Sequence, residues 1–469
     1  MTKSSYGWLP KLKKGAGPAY LMIANAIAED IAIGHLSAEQ RLPPQRKLAL
    51  LLGLDYTTIA RAYTEAHRRG LVYSVVGRGT FVSGRRRPHV PRIVDGKSSI
   101  DLSMNMPPEP DSPELRNMMQ SGFASIGLQL HDLMRYQNFC GSVEDRAAGA
   151  LWLRRRGLMI DPERLLVLPG AQCALLAILT TIARPGSVVC CEELTYPGLR
   201  ALAAQLGIRL VGLPMDAEGI DALAFAAACA QYAPVALYCN PTLLNPTTMT
   251  ISITRRRALV NVARHYGVAI IEDDAYGFLQ KDAPAPLAAI GADVTFYVAG
   301  LAKCVGAGLR VAYLVAPDNS ATVKLATTLR ATTVMVSPIT AALATRWIRD
   351  GTADMALNAI RKESIARQKI AARLLPAGCF DSAPDAFHLW LRLPEEWTSA
   401  LFATRMKSSG IGVVASSAFN VSREAPEAVR VCIGGIASRG EIEQALGEIA
   451  NALQQQPRLA SSSSFQTSA

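Results

Sequence analysis

The chain has 469 residues, of which 50% are hydrophobic and 19% are charged, and its formal net charge is +11. This length provides for roughly two to four domains, and the composition excludes a chain that is disordered throughout. The charge is uneven, because residues 1–100 hold 16 Lys and Arg against 6 Asp and Glu, whereas the remainder holds 33 against 32. The N-terminal fifth therefore predicts an anionic partner, with nucleic acid the leading candidate.

The composition also predicts the compartment. No stretch approaches the ~18 consecutive apolar residues of a membrane span, and no signal-type apolar core follows Met1. The nine cysteines are scattered without a Cys-x-x-Cys pair, and the six histidines show no metal-ligand spacing. We therefore expect reduced thiols, no bound metal, no membrane anchor and a cytoplasmic location.

Three helices are predicted in the basic segment. Apolar residues recur with a helical period from Pro18 to Ile33, and Gly34 ends this first helix. A short second helix, from Gln45 to Leu52, is expected to face inward through Leu48, Leu51 and Leu52. After a turn that contains Gly53, the third helix is predicted from Tyr56 to Arg69, with Asp55 as its cap.

Two helices joined by a short turn with Gly form a helix-turn-helix, in which the second helix presents its N-terminal residues to base edges. The residues in that position are Tyr56, Thr57, Thr58 and Arg61, with Ile59, Ala62 and Tyr63 expected to pack inward. Strands at 71–76 and 80–82 predict a wing with Arg78 at its tip, placed to contact phosphate. The alternative is a small helical domain that happens to be basic, but turn, wing and charge together favour double-stranded DNA.

The run RLPPQRKLALLLGLDYTTIARAY at 41–63, closed by GRGTFV at 77–82, resembles the winged helix-turn-helix of GntR-type bacterial regulators. The resemblance implies that Arg46, Thr57, Thr58, Arg61 and the wing glycine Gly79 contact an operator. Tyr56 stands where the family often has Ser or Arg. We assign residues 14–83 to this DNA-binding domain and 84–99 to a linker, whose Arg85, Arg86 and Arg87 either contact phosphate or are only solvated.

Beyond the linker, short apolar strands alternate with helices, which is typical of an α/β domain with a mostly parallel sheet covered on both faces. The predicted strands are 165–168, 187–190, 210–213, 235–238, 268–271, 294–298 and 311–315. Ligands of such sheets bind beyond the carboxyl ends of the strands, and the polar residues of interest fall there.

Four features at those ends converge on one chemistry. They are a Gly170 turn that opens a helix at Ala171 and Gln172, the loop Asn245-Pro246-Thr247, the acids and phenol of Glu272–Tyr276, and Lys303 followed by Arg310. A helix N-terminus binds phosphate, a lysine forms a Schiff base, and an aspartate keeps a pyridine nitrogen protonated. Each feature alone is ordinary, but this order and spacing predict a site for pyridoxal 5′-phosphate (PLP).

Residues 100–455 resemble the fold-type I, class I/II aminotransferases, and their fusion to a GntR module resembles the MocR branch of GntR regulators. The resemblance implies a smaller C-terminal α+β subdomain and a homodimer with a shared site. It assigns Lys303 as the Schiff-base lysine, Asp273 as the ring-nitrogen partner, Asn245 and Tyr276 to the ring hydroxyl, Tyr196 to stacking, Ala171, Gln172 and Arg310 to the phosphate, Tyr136 to the partner subunit's cofactor, and Arg430 to a substrate α-carboxylate.

The chain departs from the family at several positions. Gly300-Leu301-Ala302-Lys303 lacks both hydroxyls of the usual Ser-x-Ser-Lys, Ala307 replaces a Pro, and Thr248 replaces the Gly of Asn-Pro-Thr-Gly. Losing two hydroxyl bonds to the phosphate costs ~1 kcal/mol each, which weakens the cofactor without abolishing its binding.

Three hypotheses follow. The preferred one is a PLP-dependent transcriptional regulator whose aminotransferase-like domain senses PLP, or an amino-compound effector as an aldimine, and so shifts operator binding. The second is an active aminotransferase that carries a DNA-binding domain. The third is a cofactor-free relative, suggested by the missing serines. The Ser-rich end at 456–469 is expected to be disordered.

Overall fold

The computed structural model describes residues 8–10, 18–32, 35–37, 40–69, 71–75, 79–82, 100–422 and 424–455. By its internal contacts the chain divides into two units, Met1–Arg92 and Ile93–Ala469. The predicted linker with its three arginines, the wing tip Arg78, the helix end at Gly34 and the Ser-rich tail lie outside the described residues.

The first unit contains three helices and a hairpin. The elements are α1 (Ala19–Ala32), α2 (Gln45–Leu52), α3 (Tyr56–Arg68), β1 (Val72–Val75) and β2 (Gly79–Val82). The two strands pair antiparallel, and the core includes Ile23 and Ile27 of α1, Leu48 of α2, and Ile59 and Tyr63 of α3. The predicted helix-turn-helix followed by a hairpin is therefore confirmed.

One detail of α2 is wrong in the sequence analysis. Leu51 does not face the core, since 44% of it is exposed, whereas Leu48 and Ala49 are buried. The helix packs through Leu48, Ala49 and Leu52, so the helical period places Leu51 on the solvent side.

The cap of α3 is as predicted. Asp55 Oδ1 accepts hydrogen bonds from the main-chain N–H of Thr57 (2.7 Å) and from its hydroxyl (2.5 Å), and these bonds lower the pKa of Asp55. The carboxylate thereby satisfies an otherwise free N–H of the first turn, where negative charge is also favourable.

We expect Asp55→Ala to destabilise α3 by about 1 kcal/mol, because one first-turn N–H loses its acceptor. Hydrogen exchange of the α3 amides, measured on the full chain, should be several-fold faster in this variant. Asp55→Ser keeps a capping hydroxyl and should exchange nearly as the wild type does. Equal protection in Asp55→Ala and wild type would show that packing alone holds the helix end.

The strands of the second unit are β3 (Ile100–Asp101), β4 (Leu165–Leu168), β5 (Val188–Glu192), β6 (Arg209–Leu213), β7 (Met215–Asp216), β8 (Gly219–Ile220), β9 (Ala236–Cys239), β10 (Ala269–Asp273), β11 (Thr295–Gly300), β12 (Ala312–Val315), β13 (Phe380–Asp381), β14 (His388–Arg392), β15 (Ile411–Gly412), β16 (Val414–Ala415) and β17 (Ala428–Cys432). Seven of them form a large sheet in the order β4-β12-β11-β10-β9-β5-β6. Only β12 runs antiparallel to its neighbours in the large sheet, so the mostly parallel arrangement and its seven predicted strands are confirmed.

Helices surround this sheet. They are α4 (Pro113–Gly127), α5 (Leu130–Leu133), α6 (Val143–Leu153), α7 (Ala171–Ile182), α8 (Pro197–Leu206), α9 (Ala222–Tyr232), α10 (Ile253–Tyr266), α11 (Leu287–Ile290), α12 (Asn319–Thr332), α13 (Pro338–Arg349), α14 (Thr352–Leu374), α15 (Ser399–Ser408) and α16 (Arg439–Leu453). On β4, Leu165 and Val167 pack into one apolar cluster while Leu166 and Leu168 pack into another, because successive side chains point to opposite faces. Both faces are therefore covered. None of the described helices combines the length and the apolar character that crossing a membrane requires.

A smaller antiparallel sheet, in the order β13-β14-β17-β16, forms the C-terminal part. Leu389 of β14 and Val431 of β17 share an apolar cluster with Ile442 and Leu446 of α16. This α+β subdomain agrees with the resemblance. It carries Arg430 on β17, whereas the large sheet carries Asp273 and Lys303 at its strand ends.

Candidate functional site

Lys303 closes a short 3-10 turn, Leu301–Lys303, directly after β11. Its Nζ donates a hydrogen bond to the main-chain oxygen of Asn105. Burial lowers the pKa of Lys303 to about 8, and the charges of Arg430 and Arg310 act in the same direction. At pH 7 roughly a tenth of the amine is then neutral, far more than for a lysine with a pKa near 10.5, and the neutral amine is the form that attacks a carbonyl carbon.

Asp273 lies at the end of β10 and is buried. Its Oδ2 accepts from the hydroxyl of Tyr238 at 3.0 Å, whereas its Oδ1 has no hydrogen-bond partner among the described residues. Burial raises the pKa of Asp273 to about 6, and the Tyr238 bond and the charge of Lys303 oppose that rise. A buried carboxylate oxygen without a partner is costly, so this atom fits a cationic N–H of a ligand.

A candidate anion site lies at the N-terminus of α7. Gly170 precedes the helix with φ +92°, and no side chain caps the first turn. A Cβ on Gly170 would lie 2.9 Å from Nη2 of Arg310, so the guanidinium sits directly against this turn. Free first-turn N–H groups beside an arginine fit a phosphate group.

The missing hydroxyls before Lys303 bear on the same anion site. A Cβ on Gly300 would lie 3.6 Å from Cβ of Ala171, so position 300 faces the start of α7. The chain therefore has no hydroxyl at this position, and the α7 N–H groups and Arg310 are the candidate donors to an anion. Thr248 adopts φ +64°, the region that favours glycine, at a cost of roughly 1–2 kcal/mol for a side chain with a Cβ.

Arg430 is buried on β17 and held on two sides. Nη1 donates to Oδ1 of Asn245 (2.8 Å) and Nη2 to the main-chain oxygen of Ser103 (2.5 Å), while the ring of Phe419 lies 4.9 Å from the guanidinium carbon. Nε has no partner among the described residues. The guanidinium is thus fixed in direction and keeps one N–H, at Nε, that could donate to a carboxylate.

Of the other predicted residues of the second unit, Tyr196, Tyr276 and Gln172 make contacts at or beside the candidate site, whereas Tyr136 is exposed. Tyr196 lies beside α8, and its pKa is raised by burial and by the carboxylate of Asp273; Tyr276 is buried and accepts a hydrogen bond from Asn105. The side chain of Gln172 donates to the oxygen of Gly198 at 3.1 Å, so its main-chain N–H is the group left for an anion. Tyr136 is 81% exposed, and the structure does not bring it to this site within one chain.

Sequence reasoning missed Asn240, which connects three strand ends. Its main-chain N–H donates to Oε1 of Glu192 (2.5 Å), its Nδ2 donates to the oxygen of Asp273 (2.6 Å), and its Oδ1 accepts from the N–H of Asn245 (3.0 Å). Burial raises the pKa of Glu192 to about 7. The duplicated Asn-Pro pair, at 240–241 and 245–246, was the available sequence signal. Tyr238 and Asn105 were also missed.

The first unit gathers part of the predicted DNA-binding set. Arg46, Tyr56 and Gly79 line one cavity of about 310 Å³, together with Arg41 and Thr80. A Cβ on Gly79 would lie 2.8 Å from Nε of Arg41, and its φ of +116° also favours glycine. The positive φ explains why Gly suits this position of the wing, whereas the flexible Arg41 side chain can move aside.

The remaining base-facing candidates differ in their contacts. Thr57 donates its hydroxyl hydrogen to Asp55, so its oxygen lone pairs remain for a nucleic-acid donor. The guanidinium of Arg61 lies 4.5 Å from the ring centre of Tyr20 on α1. Thr58 is half-buried, and Arg78 lies outside the described residues.

Comparisons with known proteins agree with this architecture. Residues 19–82 match the family described as bacterial regulatory proteins, gntR family. The chain is 28% identical over 446 residues to an uncharacterized HTH-type transcriptional regulator, YdeF, of Bacillus subtilis (strain 168), covering 94% of this chain and 95% of that one. It is 29% identical over 403 residues to the vitamin B6 salvage pathway transcriptional repressor PtsJ of Salmonella typhimurium (strain LT2), covering 85% and 91%.

The second unit also resembles solved aminotransferases. Among them is LysN, the α-aminoadipate aminotransferase of Thermus thermophilus in complex with N-(5′-phosphopyridoxyl)-L-leucine, with a TM-score of 0.69, 22% identity and coverage of 76% of this chain and 92% of that one. Residues 97–449 match the family described as aminotransferase class I and II. The chain therefore belongs to the class I and II aminotransferase family and carries a GntR-type helix-turn-helix domain before it.

Proposed function

We propose that this protein is a DNA-binding transcriptional regulator whose second unit binds PLP and senses PLP itself or an amino compound. The observation that carries the proposal is the grouping of Lys303, the free Oδ1 of Asp273 and Arg310 at the start of α7, in a chain that begins with a GntR-type domain. The relative PtsJ, named a repressor of vitamin B6 salvage, supports the link between such a chain and this group of compounds.

Each side chain has a defined task toward PLP. When bound, PLP supplies an aldehyde carbon and an electron-withdrawing ring. Lys303 would offer its neutral amine to that carbon, and Oδ1 of Asp273 would accept a hydrogen bond from the protonated ring nitrogen. Ala171, Gln172 and Arg310 would hold the phosphate, Asn245 and Tyr276 would bind the ring hydroxyl, and Tyr196 would stack on the ring.

Arg430 supplies recognition of a carboxylate on the amino compound. Its free Nε lies on a guanidinium that Asn245 and Ser103 hold in place, so little side-chain entropy is lost on binding. We infer that two copies associate, with Tyr136 reaching the partner's site, and that the protein works in the cytoplasm. Operator contacts are assigned to Arg46, Tyr56, Thr57, Thr58, Arg61, Arg78 and Gly79.

The test joins DNA binding to ligand binding. The full chain is first used to select a duplex from a random pool, and its affinity for that duplex is then measured by fluorescence anisotropy at fixed salt. We expect PLP, alone or with one of a panel of amino acids and simple amines, to change the dissociation constant about fivefold or more. Lys303→Ala should bind the same duplex without this response.

Two outcomes would contradict the proposal, and they differ. If no duplex is selected, the assignment of DNA binding is wrong. If a duplex is bound with the same affinity under all ligand conditions, DNA binding stands and sensing is wrong.

A second candidate function is aminotransferase activity, favoured because Lys303, Asp273 and Arg430 lie in one site. The test is a single-turnover reaction of the PLP-loaded chain with each amino acid, in which the 2-oxo acid is measured. One equivalent of 2-oxo acid per site with any amino acid would support it. No 2-oxo acid with all of them would exclude it.

A further inference from the structure

Asn105 lies between β3 and α4 and is a buried residue to which neither motif nor resemblance assigned a role. Its main-chain oxygen accepts from Nζ of Lys303, and its Nδ2 donates to the hydroxyl oxygen of Tyr276 at 2.9 Å. Its Oδ1 is buried and has no partner among the described residues. One residue therefore contacts two groups of the proposed site and keeps a free acceptor.

The bond to Tyr276 fixes the direction of a proton. A phenol has one hydrogen, and an amide nitrogen only donates, so the Tyr276 oxygen accepts from Asn105 and its own hydrogen must point elsewhere. Burial raises the pKa of Tyr276 far above its usual value, so the hydroxyl keeps that hydrogen at physiological pH. The buried Tyr276 ring packs against the rings of Phe387 and His388, whose centres lie 6.0 Å and 5.6 Å from its own.

The bond from Lys303 has a similar consequence. When a neutral amine donates one hydrogen to the Asn105 oxygen, its lone pair is directed away from that oxygen. The main chain of Asn105 and the side chain of Asn105 therefore orient two different groups of the same site.

Neighbouring contacts hold the segment independently of the Asn105 side chain. The main-chain oxygen of Leu102 accepts from the N–H of Cys432 (2.8 Å), and that of Met106 accepts from the N–H of Gly435 (3.1 Å). A Cβ on Gly434 would lie only 1.8 Å from the Met106 oxygen, which shows how closely the segment packs on the chain after β17. A substitution at 105 should therefore leave the segment in place.

We propose that Asn105 is a positioning residue of the ligand site, which directs the Tyr276 hydroxyl hydrogen and the Lys303 lone pair toward the bound ligand. This inference rests on the proposed binding of PLP. It predicts that the side chain of Asn105 acts mainly through Tyr276, which separates it from a residue that only supports the local fold.

A double-mutant cycle tests this coupling. The full-length chain and its variants Asn105→Ala, Tyr276→Phe and Asn105→Ala/Tyr276→Phe are titrated with pyridoxamine 5′-phosphate by calorimetry, because this probe cannot attach to Lys303. We expect Asn105→Ala to weaken binding about tenfold when Tyr276 is present. In the Tyr276→Phe background the same change should cost about threefold or less, since the hydroxyl that Asn105 directs is gone.

A second readout concerns Lys303. In Asn105→Asp a carboxylate lies near the amine, so the pH midpoint for attachment of PLP, followed by absorbance, should rise by about one unit or more. Met104→Ala is the matched control, because Met104 lies in the same segment and 57% of it is exposed, and it should change neither readout.

The outcomes distinguish failure of the proposed role of Asn105 from failure of the proposed function. The role of Asn105 would be overturned if Asn105→Ala weakened binding of pyridoxamine 5′-phosphate equally in the wild-type and Tyr276→Phe backgrounds, or did not weaken it when Tyr276 is present. In either case, binding by the wild-type chain would still support the proposed function. If the wild-type chain binds neither PLP nor pyridoxamine 5′-phosphate, the proposed function is wrong and the role of Asn105 with it. Thermal unfolding of each variant verifies that it is folded.

Discussion

Lys303→Ala is expected to abolish stable attachment of PLP to the chain. In the wild type, added PLP should remain with the protein through gel filtration and show a shifted absorbance band; in the variant both signs should be lost. The physical reason is that Arg310 and the start of α7 contribute only non-covalent contacts, with no hydroxyl at position 300 to assist them. The variant should still bind PLP weakly and reversibly.

The pH dependence of attachment follows from the lowered pKa of Lys303. Only the neutral amine reacts, so the initial rate should rise with pH and level off above about 8, whereas an ordinary lysine with a pKa near 10.5 would still be gaining rate. Lys324→Ala, at an exposed position on α12, is the matched control and should leave rate and absorbance unchanged. A shifted band that persists in Lys303→Ala would mean that another amine holds PLP.

Arg156→Ala should lower the free energy of unfolding of the second unit by about 3–5 kcal/mol. Nε of Arg156 donates to Oδ2 of Asp274 at 2.8 Å, and both side chains are almost completely buried. Removing the cation leaves the Asp274 carboxylate in the interior with the Tyr297 hydroxyl, 2.8 Å away, as its remaining side-chain donor. Urea unfolding followed by circular dichroism measures the loss.

The neighbouring arginine provides the control. Arg155 pairs with Asp354 in a bidentate contact, but their side chains are 30% and 38% exposed, so Arg155→Ala should cost about 1 kcal/mol or less. A similar loss in both variants would show that burial does not determine the value of these ion pairs. Because Asp274 directly follows Asp273, loss of Arg156 should also weaken PLP binding, whereas loss of Arg155 should not.

The sequence predicted the large sheet well because its strands are short apolar runs between helices, a pattern that burial on both faces produces directly. It also placed Asp273 and Lys303 at strand ends, where parallel strands bring side chains together. Arg430 and the small C-terminal sheet came only from the family resemblance, since strands of two to five residues carry little periodicity of their own.

Contacts that depend on distant parts of the chain could not be predicted. Asn105 contacts Lys303 and Tyr276, which lie 198 and 171 residues away in sequence, and the residues next to Asn105 in the sequence predict neither contact. Asn240 acts partly through its main-chain N–H, a contact that any residue other than proline could make, so the residue type does not predict it. The error at Leu51 has a similar origin, because in a helix of eight residues the direction of packing is set by α1 and α3 rather than by the helix itself.

The position of the segment around Ser103 limits where a crossover between two related genes can exchange the first unit without altering the second. Ile100 pairs with Ile411, and the Ser103 oxygen already holds Arg430, so the wall of the ligand site begins almost as soon as the second unit does. A crossover upstream of Ile100 exchanges the DNA-reading module alone. A crossover a few residues later would also replace part of the proposed ligand site, so the two proposed specificities are exchanged separately only when the crossover falls before this segment.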